Sequence, residues 1–168
     1  MDIESFAGMW GYLTWLPKWL LRRKFSEECM ANLVKVDIFP RHENVSVNLS
    51  RPFATFQLWF EVTNMSPFDV ELDRAQIEFC CSGTPLHVPY IKKIKIKAGE
   101  TEKFHVDGDI PDNKADQIAC FYDKADSSMS MDVYFNCRLH NFAKIYHRLD
   151  GITPRFINEH VRSKNEIK

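Results

Sequence analysis

An all-β fold, an immunoglobulin-like antiparallel β-sandwich of about seven strands behind an N-terminal apolar helix, is predicted by three features of this 168-residue sequence. From residue 31 onward apolar residues alternate with polar ones, the alternating runs are short, and clusters of Gly, Pro, Asn and Asp separate them. Domains average about 100 to 200 residues, so the length fits one domain with short extensions. Hydrophobic residues make up 45% and charged residues 27%, which is enough apolar side chain for a packed core and argues against a disordered chain. The expected division is a helical segment over 1–30, the sandwich over 31–150 and a polar tail over 151–168.

The strands follow in order. Leu33 to Phe39 and Val45 to Leu49 alternate at period two around the turn residues 40–44, the pattern of a hairpin. Ala54 to Thr63 is a longer strand rich in aromatic and β-branched residues, with Phe56, Leu58, Phe60 and Val62 on one face. Further strands are expected at Phe68–Leu72, Ala75–Cys81, His87–Lys97, Glu102–Asp107, Gln117–Tyr122 and Met129–Leu139. Ser82 to Pro85, Ala98-Gly99 and Asp109 to Asn113 supply the turns. The tail is expected to add a strand near Lys144–Leu149 and then a short helix or a frayed end.

The N-terminal segment is different in kind. Residues 6–21 are almost wholly apolar and hold Trp10, Trp15 and Trp19, three of the four tryptophans. Asp2 and Glu4 precede the run and Arg22, Arg23 and Lys24 follow it, the reverse of the charge order of a secretory signal. Interrupted by Pro17 and Lys18, it falls short of the roughly 20 apolar residues that cross a bilayer comfortably. Tryptophan favours the headgroup boundary, where the ring is buried and the indole N–H still finds a partner. Phe6, Trp10, Leu13, Trp15, Leu16, Trp19 and Leu20 are therefore candidate contacts for a membrane or a protein partner, and Arg22, Arg23 and Lys24 for anionic headgroups. The competing arrangement packs Phe6, Met9, Trp10, Leu13, Leu16 and Leu20 on the chain's own domain at helical spacing.

With 22 Lys+Arg against 23 Asp+Glu the chain has no overall field to attract nucleic acid, and no nucleic-acid motif is present. The five cysteines show no zinc-ligand spacing, and most of them read as buried small side chains in a reducing compartment. Three glycosylation-type triplets begin at Asn44, Asn48 and Asn64, informative only in a secreted chain.

The turn Asn64-Met65-Ser66-Pro67-Phe68 after the long strand, and the run from Ile94 through Ala98-Gly99-Glu100 to Thr101, carry a family resemblance. Over about Leu33 to Leu139 the chain resembles the type 2 late-embryogenesis-abundant domain, also called the water-stress and hypersensitive-response domain. The family's Asn-Pro-Asn-Pro-Phe-like turn keeps here its Asn, its second Pro and its aromatic residue and lacks the first Pro. The resemblance implies a seven-stranded sandwich, often behind a membrane-proximal segment, that binds or protects and does not catalyse.

Lys93, Lys95 and Lys97 share one strand face with Ile94 and Ile96 on the other. They form either a lysine-protected sheet edge or an additional surface for anionic headgroups. Asp107, Asp109, Asp112 and Asp116 supply carboxylates within ten residues, but Lys114 stands among them and the spacing is not that of a calcium loop, so a solvated turn is expected. Cys137 lies near His140 and His147, without the motifs that accompany a catalytic thiol. The sequence therefore predicts no catalytic residue, no metal and no cofactor. It predicts a cytoplasmic, peripheral membrane protein bound to anionic lipid. The alternatives are an assembly subunit docking on a protein partner or a second copy, and a lipid or small-molecule carrier with the thirteen phenylalanines lining a cavity.

Overall fold

The computed structural model describes residues 16–39 and 43–163, apart from the side chains at 146–148 and 163. Two sheets of five strands enclose one core. Two short helices lead into the first sheet, α1 (Lys18–Lys24) and α2 (Glu27–Leu33). The Ser26 hydroxyl caps α2 by accepting the Cys29 N–H at 3.2 Å, and Glu27 and Glu28 in its first turn favour the positive end of the helix dipole.

In the first sheet β3 (Ala54–Asn64) is central. β1 (Val34–Ile38) and β2 (Val45–Asn48) pair with successive halves of one edge, and β7 (Thr101–Ile110) pairs along the other. In the second sheet β4 (Val70–Cys81) is central, with β8 (Ser127–Cys137) on one edge and β5 (Thr84–Tyr90) and β6 (Ile94–Ile96) in line on the other. β9 (Asn141–Ile152) lies outside β8. These pairs are all antiparallel. The exception is β10 (Arg155–Ile157), which runs parallel to β2.

Alternation places the core as expected. Phe56, Leu58, Phe60 and Val62 are all buried, while Gln57 and Trp59 between them face outward. Phe56 of β3 meets Phe79 of β4 across the sheets at 5.9 Å between ring centroids, and Phe60 stacks on Phe104 at 4.9 Å. Buried phenylalanines in ring contact within and between the sheets spend their area on packing. Ser82 and Gly83, both at positive φ, form the tight turn between β4 and β5.

Several expectations are corrected. The described residues form ten strands rather than about seven, and β1 and β2 do not form a hairpin but lie beside separate halves of β3. Residues 117–122 are not a strand: α3 (Asp112–Phe121) starts after Pro111 and buries Ala115, Ile118 and Ala119. Three- and four-residue spacing of those apolar residues is helical, and Pro111 at the helix start lacks only an N–H that would have gone unpaired. The two strands expected between Phe68 and Cys81 are one, β4, with a bulge between Leu72 and Arg74 that absorbs Asp73. The single strand expected at His87–Lys97 is instead β5 and β6, separated at 91–93. The short helix expected in the tail is α4 (His160–Ser163), and before it β10 adds a strand that the pattern did not show.

Candidate functional site

α1 is held to the domain by one face. Leu21 is buried at 1% exposure, Leu16 and Phe25 pack partly against the core, and the Arg22 Nε donates to the Leu139 carbonyl at 2.9 Å. At about 100° per residue, a helix that turns Leu21 inward turns Trp19 and Arg23 outward on the opposite face. Trp19 is 66% exposed and Leu20 41%, and Arg22, Arg23 and Lys24 are exposed beside them. The three cations also stand in the last turn of α1, where they oppose the negative end of its dipole. Of the other predicted contacts, Phe6, Trp10, Leu13 and Trp15 lie outside the described residues. In the self-packing arrangement Leu20 was to face the domain; Leu21 takes that place.

Phe68 joins α1 to the sheets. Its buried ring meets Phe25 edge-on at 5.2 Å, and the Arg138 guanidinium lies over it at 5.0 Å from the centroid. An open cleft of about 540 Å³ runs here between Pro67–Glu71, Lys95 and Asn136–Arg138.

This end of the molecule is organised by Asn64, which is wholly buried. Its side-chain amide donates to the carbonyls of Phe68, Ile96 and Lys97 at 2.9, 3.1 and 3.0 Å. Its Oδ1 accepts from the Ser66 N–H at 3.0 Å and the Ser66 hydroxyl at 2.6 Å. Its own N–H donates to the Glu100 carbonyl and its carbonyl accepts from the Gly99 N–H. One amide thus ties the turn after β3 to the turn between β6 and β7. A glycan on Asn64 is incompatible with this burial.

The lysine ladder sits on β6 and the residues around it, with Ile96 buried and the lysines exposed as alternation requires. Each lysine already faces a carboxylate: Lys95 with Asp69 at 2.6 Å, Lys93 with Asp73 at 3.2 Å, and Lys97 with Glu100 at 3.4 Å. The Lys95 hydrogen bond is the main cause that holds the Asp69 carboxyl below its ordinary pKa, against a smaller opposing effect of burial. The ladder is at the same end as α1, since Lys95 and Phe68 line one cleft. Its charge is balanced locally.

The aspartate-rich segment is not a solvated turn. Asp107 and Asp109 lie on β7, while Asp112 and Asp116 stand one turn apart on α3 and receive Arg162 at 2.8 and 2.9 Å. The Arg162 side chain is fully buried and also donates to the carbonyls of Leu49 and Ser50 at 2.8 and 2.9 Å. Burial penalises its charge, and the two carboxylates outweigh that penalty, so its pKa is raised. Nothing in the sequence pattern pairs residue 162 with 112 and 116.

Among the described residues no group of three or more His, Cys, Asp or Glu side chains is placed to hold a metal ion, and no helix is long and apolar enough to cross a membrane. The Cys137 sulfur accepts from the N–H groups of Leu139 and His140 at 3.3 and 3.4 Å, and His140 Nδ1 faces Glu27 at 3.8 Å. The side chain of His147 lies outside the described residues. Cys81 is buried, and that burial pushes its thiol up to about 12.

No family model matches the chain, and no curated protein matches its sequence. Among solved structures, a structural-genomics target is similar with a TM-score of 0.51 at 12% identity, over 74% of this chain and 90% of its own. The likeness is one of fold. A protein from Bordetella pertussis described as ApaA has a TM-score of 0.49 at 13% identity, covering 73% and 94% of the two chains. A protein described as late embryogenesis abundant has a TM-score of 0.38 at 9% identity, covering 80% of each.

Proposed function

We propose that this chain is a non-catalytic, immunoglobulin-like β-sandwich protein of stress-protective type that binds anionic membrane surface through α1 and the Trp-rich residues before it. The observation that carries the reading is the outer face of α1. An exposed Trp19 stands one turn from Arg23, with Leu20 beside it and Leu21 buried. An aromatic ring flanked by cations on a helix anchored by its other face is what interfacial binding needs: the ring enters the headgroup boundary, and the cations meet lipid phosphate. Because the ladder lysines are answered by Asp69, Asp73 and Glu100, Arg22, Arg23 and Lys24 carry the electrostatic part. In this reading the cations meet anionic lipid of the kind the cytoplasmic leaflet carries. The late-embryogenesis-abundant resemblance is supported by the role of Asn64, whose turn the family pattern also places after its central strand.

Flotation of the full chain with phosphatidylserine-containing vesicles tests this. Binding is expected, weakening with salt, and the double substitution Trp19→Ala, Leu20→Ser is expected to weaken it about tenfold or more. A full chain that leaves vesicles bare at low salt sinks the membrane reading. A change of mass on size exclusion, abolished by the same substitutions, would in that case support docking on a second copy.

A further inference from the structure

We infer that the domain itself supplies a second part of the lipid surface: Arg138, on the turn from β8 to β9, binds the headgroup of an anionic phospholipid beside α1. The inference rests on the membrane reading above and extends it from the N-terminal segment to the folded body. Arg22 of α1 is hydrogen-bonded to the carbonyl of Leu139, the residue after Arg138, so the helix and this turn are neighbours. Phe25 and Arg138 share the Phe68 ring, which places the guanidinium at the foot of α1.

Charge decides which residues of this end are free to bind. The carboxylates Asp69, Glu71 and Asp73 are paired with Lys95 and Lys93, and Glu27 faces His140. Arg138 is exposed, and its guanidinium lies on the face of Phe68. A guanidinium laid on a ring keeps its positive charge exposed at the edge, where a headgroup anion can approach it. With Arg22, Arg23 and Lys24 of α1 it adds a fourth cation to the end of the domain that presents Trp19 and Leu20. An anionic bilayer surface complements such a cluster, with apolar side chains entering the boundary and cations at headgroup level.

The test compares the full chain with Arg138→Gln and Arg138→Lys on vesicles of phosphatidylcholine alone and of phosphatidylcholine with phosphatidylserine, with thermal melts confirming that each variant is folded. One cation near an anionic surface is worth about a fivefold change in partitioning. Arg138→Gln is expected to weaken binding to the anionic vesicles by about that factor, with a shallower salt dependence, while Arg138→Lys keeps it and neutral vesicles show no difference. If Arg138→Gln binds anionic vesicles like the native chain while Trp19→Ala, Leu20→Ser does not, the turn does not touch lipid and the α1 reading stands. If Arg138→Lys loses as much as Arg138→Gln, packing on Phe68 rather than charge is responsible, and the inference is overturned. If the native chain ignores anionic vesicles, both readings fall together.

Discussion

The two ends of the molecule are each closed around one buried polar side chain, and they solve the problem differently. At the α1 end a neutral amide, Asn64, satisfies carbonyls within its own turn and in the turn after β6. At the other end a cation, Arg162, is carried in by the last helical turn and neutralised by Asp112 and Asp116 of α3. A neutral hub costs little to bury if every hydrogen bond is made, whereas a charged one needs its counter-charges as well. The difference also sets exposure. Both partners of Arg162 keep substantial contact with water, at 68% and 50% side-chain exposure, so the clasp is screened on one side, while Asn64 is dry. The amide end is therefore the better-insulated of the two, and it is the end that carries the proposed lipid surface.

Substitutions at the hubs should separate them. Asn64→Asp sets a carboxylate against three carbonyl oxygens and is expected to abolish the cooperative thermal transition. Asn64→Leu, which leaves those carbonyls unpaired, should cost about 3 kcal/mol in urea unfolding. A loss under 1 kcal/mol would mean that the two turns are held by other contacts. Leu21→Ala, which empties the anchored face of α1, should also cost about 3 kcal/mol, whereas Trp19→Ala on the opposite face should change stability by less than about 0.5 kcal/mol. Equal losses from the two would mean that α1 is not docked by Leu21.

Arg162→Leu should cost less than the amide hub, about 2 kcal/mol, because the carboxylates it abandons return to water while the carbonyls of Leu49 and Ser50 lose their donor. Cys81 should be silent to iodoacetamide at pH 8 in the folded chain, since burial raises its pKa to about 12, while the exposed Cys120 reacts. Rapid alkylation of Cys81 would reveal an opening of the second sheet.

The smallest effect is the pH dependence of the ladder. The Asp69 carboxyl is held below its ordinary value of 3.8, so its contribution is complete above that pH and is lost as pH falls through the lowered folded value. Asp69→Asn should remove that part of the acid sensitivity and leave the midpoint at neutral pH slightly lower. A variant whose acid unfolding superimposes on the native curve would show the Lys95–Asp69 pair to be idle.

Most of the sheet was legible because alternation is local. Val34 to Ile38 and Ala54 to Asn64 show at period two which side chains are buried, and Ser82-Gly83 marks its turn by residue type alone. The turn at Asn64 was legible for the same reason, since Asn, Ser and Pro bond or bend the backbone within a few residues. Where the apolar pattern was short, the reading failed: Gln117–Tyr122 reads as a strand, although Ala115, Ile118 and Ala119 are spaced for a helix that begins after Pro111. The outer face of α1 was half legible, because the Trp-rich run and its basic flank are visible in sequence, but which of Leu20 and Leu21 faces the core depends on the sheet beneath.

The sequence by itself determined the period of the strands, the turn chemistry and the order of charges around the apolar segment, all of which depend on residues within about one turn of each other. Only the tertiary structure decided that Arg162 meets Asp112 and Asp116, that Asn64 reaches Ile96 and Lys97, that Lys93 and Lys95 find Asp73 and Asp69, and that Arg138 lies beside α1. Those contacts join residues far apart in the chain, and a charge or an amide carries no mark of its partner until the sheets have closed and removed the water between them.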